Sequence, residues 1–216
     1  MLGFVEEILL LQLDETHGRF VDLPMSAADV VLAGAALMEL ALDNRVDSGL
    51  EQLILVDLKP TGDDILDGVL AQLGAAGPGL SVAAALERVT LHAEKYQEIA
   101  LQRLVAKGIL REEDGRFLWM FHTRRYPVVD DREQREVKAR LRQVLLSDDI
   151  PEPRDVVLIC LIDASGLLDL VLTPDEIAAT KTRVEQLTKL DLIGQAVTKA
   201  VGEIRFIVRN AAAPLY

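Results

Sequence analysis

The residue types that most often carry out chemistry are few in this chain and lie far apart. Its three histidines are His17, His92 and His122. None has a second ligand at the i, i+4 spacing that places two imidazoles on one face of a helix. We therefore predict no metal site and no cofactor, with the histidines on the surface or in a hairpin.

The single cysteine and one nearby serine are the candidate nucleophiles. Cys160 lies in the apolar run 156–162, where burial raises the pKa of a thiol rather than lowering it. Ser165, with Asp163 and His122, supplies the residue types of a hydrolase triad, but the Gly-x-Ser-x-Gly elbow that exposes a nucleophilic serine is missing. We assign no catalytic residue, and a small-molecule hydrolase acting through Ser165 is the third functional hypothesis.

The segment from Arg116 to Arg142 is basic, although the protein as a whole is acidic. The chain has 35 acidic and 23 basic residues, a net charge of −12. This segment holds eight basic and four acidic residues, a net charge of +4, which leaves −16 for the remainder. The negative average counts against general nucleic-acid binding, whereas a local basic face can meet an anionic membrane or a phosphorylated headgroup.

A helix after residue 131 would align several of these cations. At 100° per residue, four of them fall within an arc of about 120°, beside an apolar stripe that should face the core. The predicted headgroup-binding residues on this arc are Arg132, Arg135, Lys138 and Arg142. The predicted membrane-contact residues of the preceding hairpin are Trp119, Phe121, Arg124 and Arg125. The alternative interpretation is a solvated helix face paired with Glu133 and Glu136, with the aromatic residues packed inward.

The elements that would position these residues are mostly helices. With 216 residues, 50% apolar and only 4% aromatic, the chain is expected to form one compact domain, 1–216, built from Leu, Val, Ile and Ala. Predicted helices span 2–13, 26–44, 62–74, 81–88, 90–107, 131–147, 154–171, 174–190 and 192–207. Capping boxes are predicted at Ser26, Thr61 and Thr173.

Two regions are predicted to form strands. Residues 53–56 form a short apolar run, and a hairpin is predicted to pair 109–111 with 117–122 around Gly115. No apolar stretch reaches the roughly 20 residues that span a bilayer, so any membrane contact is expected to be peripheral. One cysteine, which excludes an intrachain disulfide, suits a cytoplasmic protein.

Five strings along the chain, in order, resemble the Golgi phosphoprotein 3 family of peripheral membrane proteins. They are Glu6–Leu11, Met38–Leu42, Pro60–Asp63 with Leu66 and Asp67, Leu104–Leu110, and Leu161–Ser165. The resemblance implies a mainly α domain around a central helical bundle with small β-hairpins, and no catalytic activity. It also implies, as in eukaryotic members, phosphatidylinositol 4-phosphate binding in a shallow basic pocket.

The family's pocket residues carry over only in part. Its tryptophan falls near Pro24 and one arginine falls at Ala33, so both are replaced here. Its basic pair after the Tyr126–Pro127 turn matches best at Arg140, which the resemblance adds to the predicted headgroup-binding residues. The family's oligomerising hairpin is shortened to 147–154, and the chain looks like a bacterial member.

The leading hypothesis is therefore a non-enzymatic peripheral membrane or adaptor protein that contacts anionic lipid, with a phosphoinositide-like headgroup as one candidate. A protein partner and a homo-oligomer stay open. The alternative is a winged-helix-like DNA-binding regulator, with residues 91–107 for recognition and 116–125 as the wing. The acidic residues between the cations of that helix would repel the phosphates that line a DNA groove, which counts against this alternative.

Overall fold

Helices dominate the computed structural model, which describes residues 2–14, 18–21, 25–48, 52–117, 121–187 and 195–211. The helices within these ranges are α1 (Phe4–Gln12), α2 (Met25–Leu42), α3 (Asp64–Ala76), α4 (Val82–Thr90), α5 (Ala93–Ala106), α6 (Arg132–Leu146), α7 (Pro153–Ala164), α8 (Pro174–Leu187) and α9 (Gln195–Ala211). Two antiparallel strand pairs accompany them. They are β1 (Val46–Ser48) with β2 (Leu53–Leu55), and β3 (Glu113–Phe117) with β4 (Phe121–Arg125). The predicted mainly α fold with small β-hairpins is confirmed.

Helices α1, α2 and α7 are the most deeply buried elements. Every residue of α1 is buried, and residues 156–162 of α7 have no exposed surface. Helices that are apolar on nearly all sides are typical of a core position. The other described helices each contribute apolar side chains to the same hydrophobic cluster. The apolar run predicted to surround Cys160 is therefore the centre of the core.

Small residues in α2 let it pack closely against α9. A Cβ added at Gly34 would clash with the Cδ1 atom of Ile204, which is itself completely buried. Protein interiors are packed to crystal-like density, so a larger side chain at residue 34 would have to displace the Ile204 side chain. Gly34 thus leaves room for Ile204 against α2.

The buried helix α1 also carries two glutamates. The side chains of Glu6 and Glu7 are 4% and 2% exposed. Glu7 accepts hydrogen bonds from Arg140, at 2.9 Å, and from Arg154, at 3.1 Å. Arg140 also pairs with Asp155, whose side chain is 7% exposed. Because a buried carboxylate is strongly unfavourable unless it is paired and hydrogen-bonded, α1 can occupy the core only with these arginines in place.

Arg154 extends this arrangement to α2. Its guanidinium donates to the carbonyl of Leu2 and to Glu39, and lies 4.2 Å from the centre of the Phe4 ring. Glu39 in turn accepts the backbone N–H of Phe4 at 2.8 Å. Burial raises the pKa of the Glu39 carboxyl, and its hydrogen bonds from Phe4 and Arg154 oppose that shift. We call Glu7, Glu39, Arg140, Arg154 and Asp155 the buried ion network; it joins α1, α2, α6 and α7.

Two predicted element boundaries are wrong for identifiable reasons. A single helix over 154–171 is predicted, but α7 ends at Ala164 and a 3-10 turn covers Leu168–Leu170. Gly166 interrupts the helix with a φ of 72°. At α3, the capping residue is Asp63, whose side chain accepts the N–H groups of Ile65 and Leu66, rather than Thr61.

The capping box of Thr173 is confirmed. Its N–H donates to Glu176 at 2.8 Å, and its hydroxyl accepts the N–H of Glu176 at 3.4 Å. Ser26 lies inside α2, which begins at Met25. The predicted cap there is therefore wrong by at least one residue.

The β3–β4 hairpin has a different register from the predicted one. Gly115 lies opposite Thr123 within the ladder, and the connection is at residues 118–120, which are outside the described residues. Ile109 does not start a strand because its N–H bonds back to the carbonyl of Leu104 across Gly108, whose φ of 72° turns the chain just after α5. Leu110 instead forms an isolated bridge with Val128. Strand β1 is a further addition that the sequence pattern did not indicate.

We expect the buried ion network to be necessary for stability. Replacing Glu7 with alanine removes a buried carboxylate that two half-buried guanidinium groups share, so the Glu7→Ala variant should lose about 1.5–3 kcal/mol of unfolding free energy, the range for hydrogen bonds to charged groups. Urea unfolding followed by circular dichroism measures this loss. The control is Glu87→Ala on the exposed side of α4, which should change stability by less than about 0.5 kcal/mol. Similar losses in both variants would show that the network adds nothing.

Candidate functional site

Helix α6 carries all five residues predicted to bind a headgroup, and its inner face fixes its position. Val137, Leu141 and Val144 are buried, which confirms the predicted core stripe. Gln134 is completely buried, and its side-chain amide donates to the carbonyls of Leu10 and Leu13 at 2.6 and 3.0 Å. These carbonyls lie at the end of α1, where the regular helical hydrogen bonds run out, although that of Leu10 also accepts the N–H of Leu13 at 3.3 Å. Gln134 therefore holds the start of α6 against the end of α1.

The first two predicted cations lie on the solvent side of α6. Arg132 binds Asp130, and Arg135 binds Asp131 at 2.8 Å, with the two arginine side chains 81% and 66% exposed. The hydrogen bonds from Arg132 lower the pKa of Asp130 to about 2. Exposed ion pairs of this kind add little to stability because water competes for both partners. Each guanidinium can therefore exchange its carboxylate for another anion at low cost.

Arg140 is in a different position. It belongs to the buried ion network, where it donates to Glu7 and Asp155. Burial lowers the pKa of Arg140, but its hydrogen bond and charge interaction with Glu7, together with those from Asp155, raise it more. At 100° per residue it lies about 160° around α6 from Lys138. The structure therefore does not bring Arg140 together with the other predicted headgroup ligands.

Arg142 connects α6 to α8. Its guanidinium donates to both carboxylate oxygens of Glu176, at 2.9 and 2.5 Å, and to the carbonyl of Val171 at 2.9 Å. The hydrogen bonds from Arg142 and from Thr173 lower the pKa of Glu176 to about 2. Lys138 lies between these positions, half-buried, and also interacts within the protein. The arc predicted from helical spacing is therefore present, and its arginines, Arg132, Arg135 and Arg142, are engaged by carboxylates to different degrees.

The hairpin positions predicted to contact a membrane are only partly described. Trp119 lies outside the described residues. Phe121, Arg124 and Arg125 belong to β4, where half-buried Arg125 is opposite Glu113. The structure does not test any of the four as a membrane contact.

Two exposed valines near the hairpin were missed by sequence reasoning. Val129 is 61% exposed between the hairpin and α6, and Val21 is 38% exposed in the segment that packs beside the hairpin base. The Phe20 and Tyr126 rings lie 6.5 Å apart there, and the N–H of Tyr126 donates to the carbonyl of Gly18. Two consecutive valines directly before Asp130 were the available signal. The exposed Val129 places apolar surface just before the start of α6.

The residues considered for catalysis have structural roles. Cys160 has no exposed surface, and burial raises the pKa of its thiol to about 12. The hydroxyl of Ser165 is buried and donates to the carbonyl of Leu161 one turn earlier. His17 lies outside the described residues. Among those that are described, no group of three or more His, Cys, Asp or Glu side chains could hold a metal ion.

The proposed recognition helix of a DNA-binding protein packs one face against the bundle. Helix α5 buries Tyr96, Leu101 and Leu104 among others, and its opposite face, with Lys95, is exposed. The two cations at its end are paired: Arg103 binds Asp63, and Lys107, the residue after the helix, binds Glu6 at 2.6 Å. Phosphate contacts by α5 would require these ion pairs to open. No helix in the described ranges is both long and apolar enough to cross a bilayer.

The Arg142–Glu176 pair should make the free energy of unfolding depend on pH in the acidic range. A folded-state pKa of about 2, below the ordinary 4.5, stabilises the protein above pH 4.5, and this stabilisation disappears as the pH falls towards 2. We expect Glu176→Gln to lower the urea midpoint at pH 7 and the difference from wild type to shrink below pH 4.5. The control is Asp175→Asn in the same helical turn, which should change little at any pH. A constant difference down to pH 2 would contradict this assignment.

Comparison with known protein families agrees with this architecture. The family model for Golgi phosphoprotein 3 (GPP34) matches residues 4–204. The matched range runs from the start of α1 into α9, so it includes the buried ion network, the β3–β4 hairpin and all of α6. The family is known for non-enzymatic adaptors that bind phosphoinositides. This chain belongs to the Golgi phosphoprotein 3 (GPP34) family.

Proposed function

We propose that the protein is a peripheral membrane adaptor that contacts anionic lipid headgroups through the solvent side of α6. Membership of the Golgi phosphoprotein 3 family carries this proposal. The principal ligands are Arg132, Arg135 and Lys138, with the hairpin residues Trp119, Phe121, Arg124 and Arg125 beside them. Val129 adds apolar surface at the same end of α6.

The exposed ion pairs support a role for the start of α6. Arg132 and Arg135 each bind an aspartate from the turn before the helix, and both arginine side chains are largely exposed. A lipid phosphodiester offers two free acceptor oxygens and a phosphomonoester three, and a guanidinium can bind two of them at once, as it binds a carboxylate. Approach to an anionic membrane would thus exchange weak internal pairs for external ones.

Arg140 and Arg142 stay predictions as headgroup ligands. To bind lipid, each would first have to give up stronger contacts within the protein than Arg132 or Arg135 would. Arg140 would have to leave two carboxylates that are 2% and 7% exposed, and removing one partner of a buried pair typically costs about 3–5 kcal/mol. Arg142 would have to release both oxygens of Glu176. We propose that these two arginines chiefly hold α6 in position, whereas the three cations nearer its start contact lipid.

Vesicle binding tests the proposal. The full chain should co-sediment at low salt with phosphatidylcholine vesicles that contain phosphatidylserine or phosphatidylinositol 4-phosphate, and less so as salt is added. Each basic residue near a membrane surface contributes about fivefold in affinity, so the triple variant Arg132→Ala, Arg135→Ala, Lys138→Ala should bind about 100-fold more weakly. Because the family's pocket tryptophan and one arginine are replaced, we expect the two lipids to bind similarly at matched surface charge.

The matched control removes three cations elsewhere. Lys59, Arg88 and Lys95 are exposed and lie outside α6, so their triple alanine variant has the same net charge as the test variant. It should bind vesicles nearly as well as the wild type. Equal losses in the two variants, or no binding to any anionic vesicle at low salt, would refute the proposal.

A further inference from the structure

A cleft lies between the end of α7, one side of α8 and the last turns of α9. Its volume is about 520 Å³, within the range of sites that hold small organic ligands. None of its lining residues belongs to α6 or to the hairpin. It is therefore a separate site from the surface proposed to contact lipid.

One part of the cleft is apolar. Leu168, Ile177 and Val208 line it, and each is only partly buried while packing against the hydrophobic core. Ala164 and Ala178 contribute only methyl groups there, which leaves room between the larger side chains. Partly exposed apolar walls inside a cleft favour a ligand with a hydrocarbon portion because binding removes that surface from water.

The rim of the cleft has an excess of positive charge. Arg205 is paired with Asp163. Lys181 and Arg209 are exposed and have no hydrogen-bond or ion-pair partner among the described residues, whereas Glu185 interacts within the protein. Three cations against two carboxylates give the lining a net charge of +1 in a chain of −12. A single negative charge would balance this rim.

We propose that the α7–α8–α9 cleft binds a small amphipathic carboxylate, with its carboxylate group at Lys181 and Arg209 and its hydrocarbon chain against Leu168, Ile177 and Val208. A simple anion such as acetate would leave the apolar walls exposed to water. A neutral hydrocarbon would leave both cations without a partner. An aliphatic monocarboxylate would cover the apolar walls with its chain and pair its carboxylate with the two cations. Its single negative charge also balances the net charge of the lining.

Calorimetric titration of the full chain with octanoate tests this assignment. We expect saturable binding of one octanoate per chain, and no saturable binding of acetate or octanol over the same concentrations. Lys181→Ala and Arg209→Ala should each weaken octanoate binding about tenfold, since each removes one charge-assisted contact. Ala178→Trp should abolish binding by filling the cleft. Lys95→Ala, on the exposed side of α5, should bind octanoate like the wild type.

The lipid-binding proposal and the cleft proposal can be tested separately. The triple α6 variant should lose vesicle binding and keep octanoate binding, whereas Ala178→Trp should do the reverse. Lys181 and Arg209 are exposed, so their alanine variants should retain wild-type circular dichroism and unfolding midpoints. Absence of saturable octanoate binding, or binding that survives both Arg209→Ala and Ala178→Trp, would overturn the assignment. Tighter binding of octyl phosphate than of octanoate would overturn the choice of a monocarboxylate.

Discussion

The rest of the structure depends on the pairing of buried carboxylates with two arginines. Glu7 and Asp155 are nearly inaccessible to water, and Arg140 and Arg154 supply the opposite charges. An ionised carboxylate without such a partner is so unfavourable in a protein interior that α1 could not be buried on all sides. The arginines come from α6 and from the start of α7, so their pairing with α1 fixes both helices. Apolar packing makes the core stable, and the ion pairs tie α1 to α6 and to the start of α7.

This arrangement divides the cations of α6 according to the burial of their partners. Arg140 faces carboxylates inside the protein and has a positioning role, whereas Arg132 and Arg135 face aspartates in water. Helical spacing alone does not separate these arginines, because it gives the direction of each side chain but not the groups that the side chain meets. The difference between an exposed cation and a structural one is set by elements more than 100 residues away, as the Arg140–Glu7 separation of 133 shows.

Local signals predicted much of the fold, and long-range polar contacts were beyond them. Helix positions followed from apolar periodicity and from caps such as Thr173, since those interactions lie within four residues. The hairpin register was misread because Gly115 resembles a turn residue, while the chain actually turns at Gly108, just after α5. Nothing in the sequence marked Glu7 as buried, because a charged residue is almost never fully buried unless it is paired, and its partners follow 133 and 147 residues later. The cleft beside α8 was equally hidden, since its walls come from three separate segments.

The distance along the chain between the partners in the buried ion network has a consequence for synthesis. Arg154 follows Glu7 by 147 residues. At about 5–20 residues per second, roughly 7–30 seconds pass between the appearance of α1 on the ribosome and that of its second arginine. During this interval α1 exposes a leucine-rich surface that its own glutamates prevent from being buried. The same charges that make the native core specific thus keep the nascent first helix hydrated until its partners have been translated.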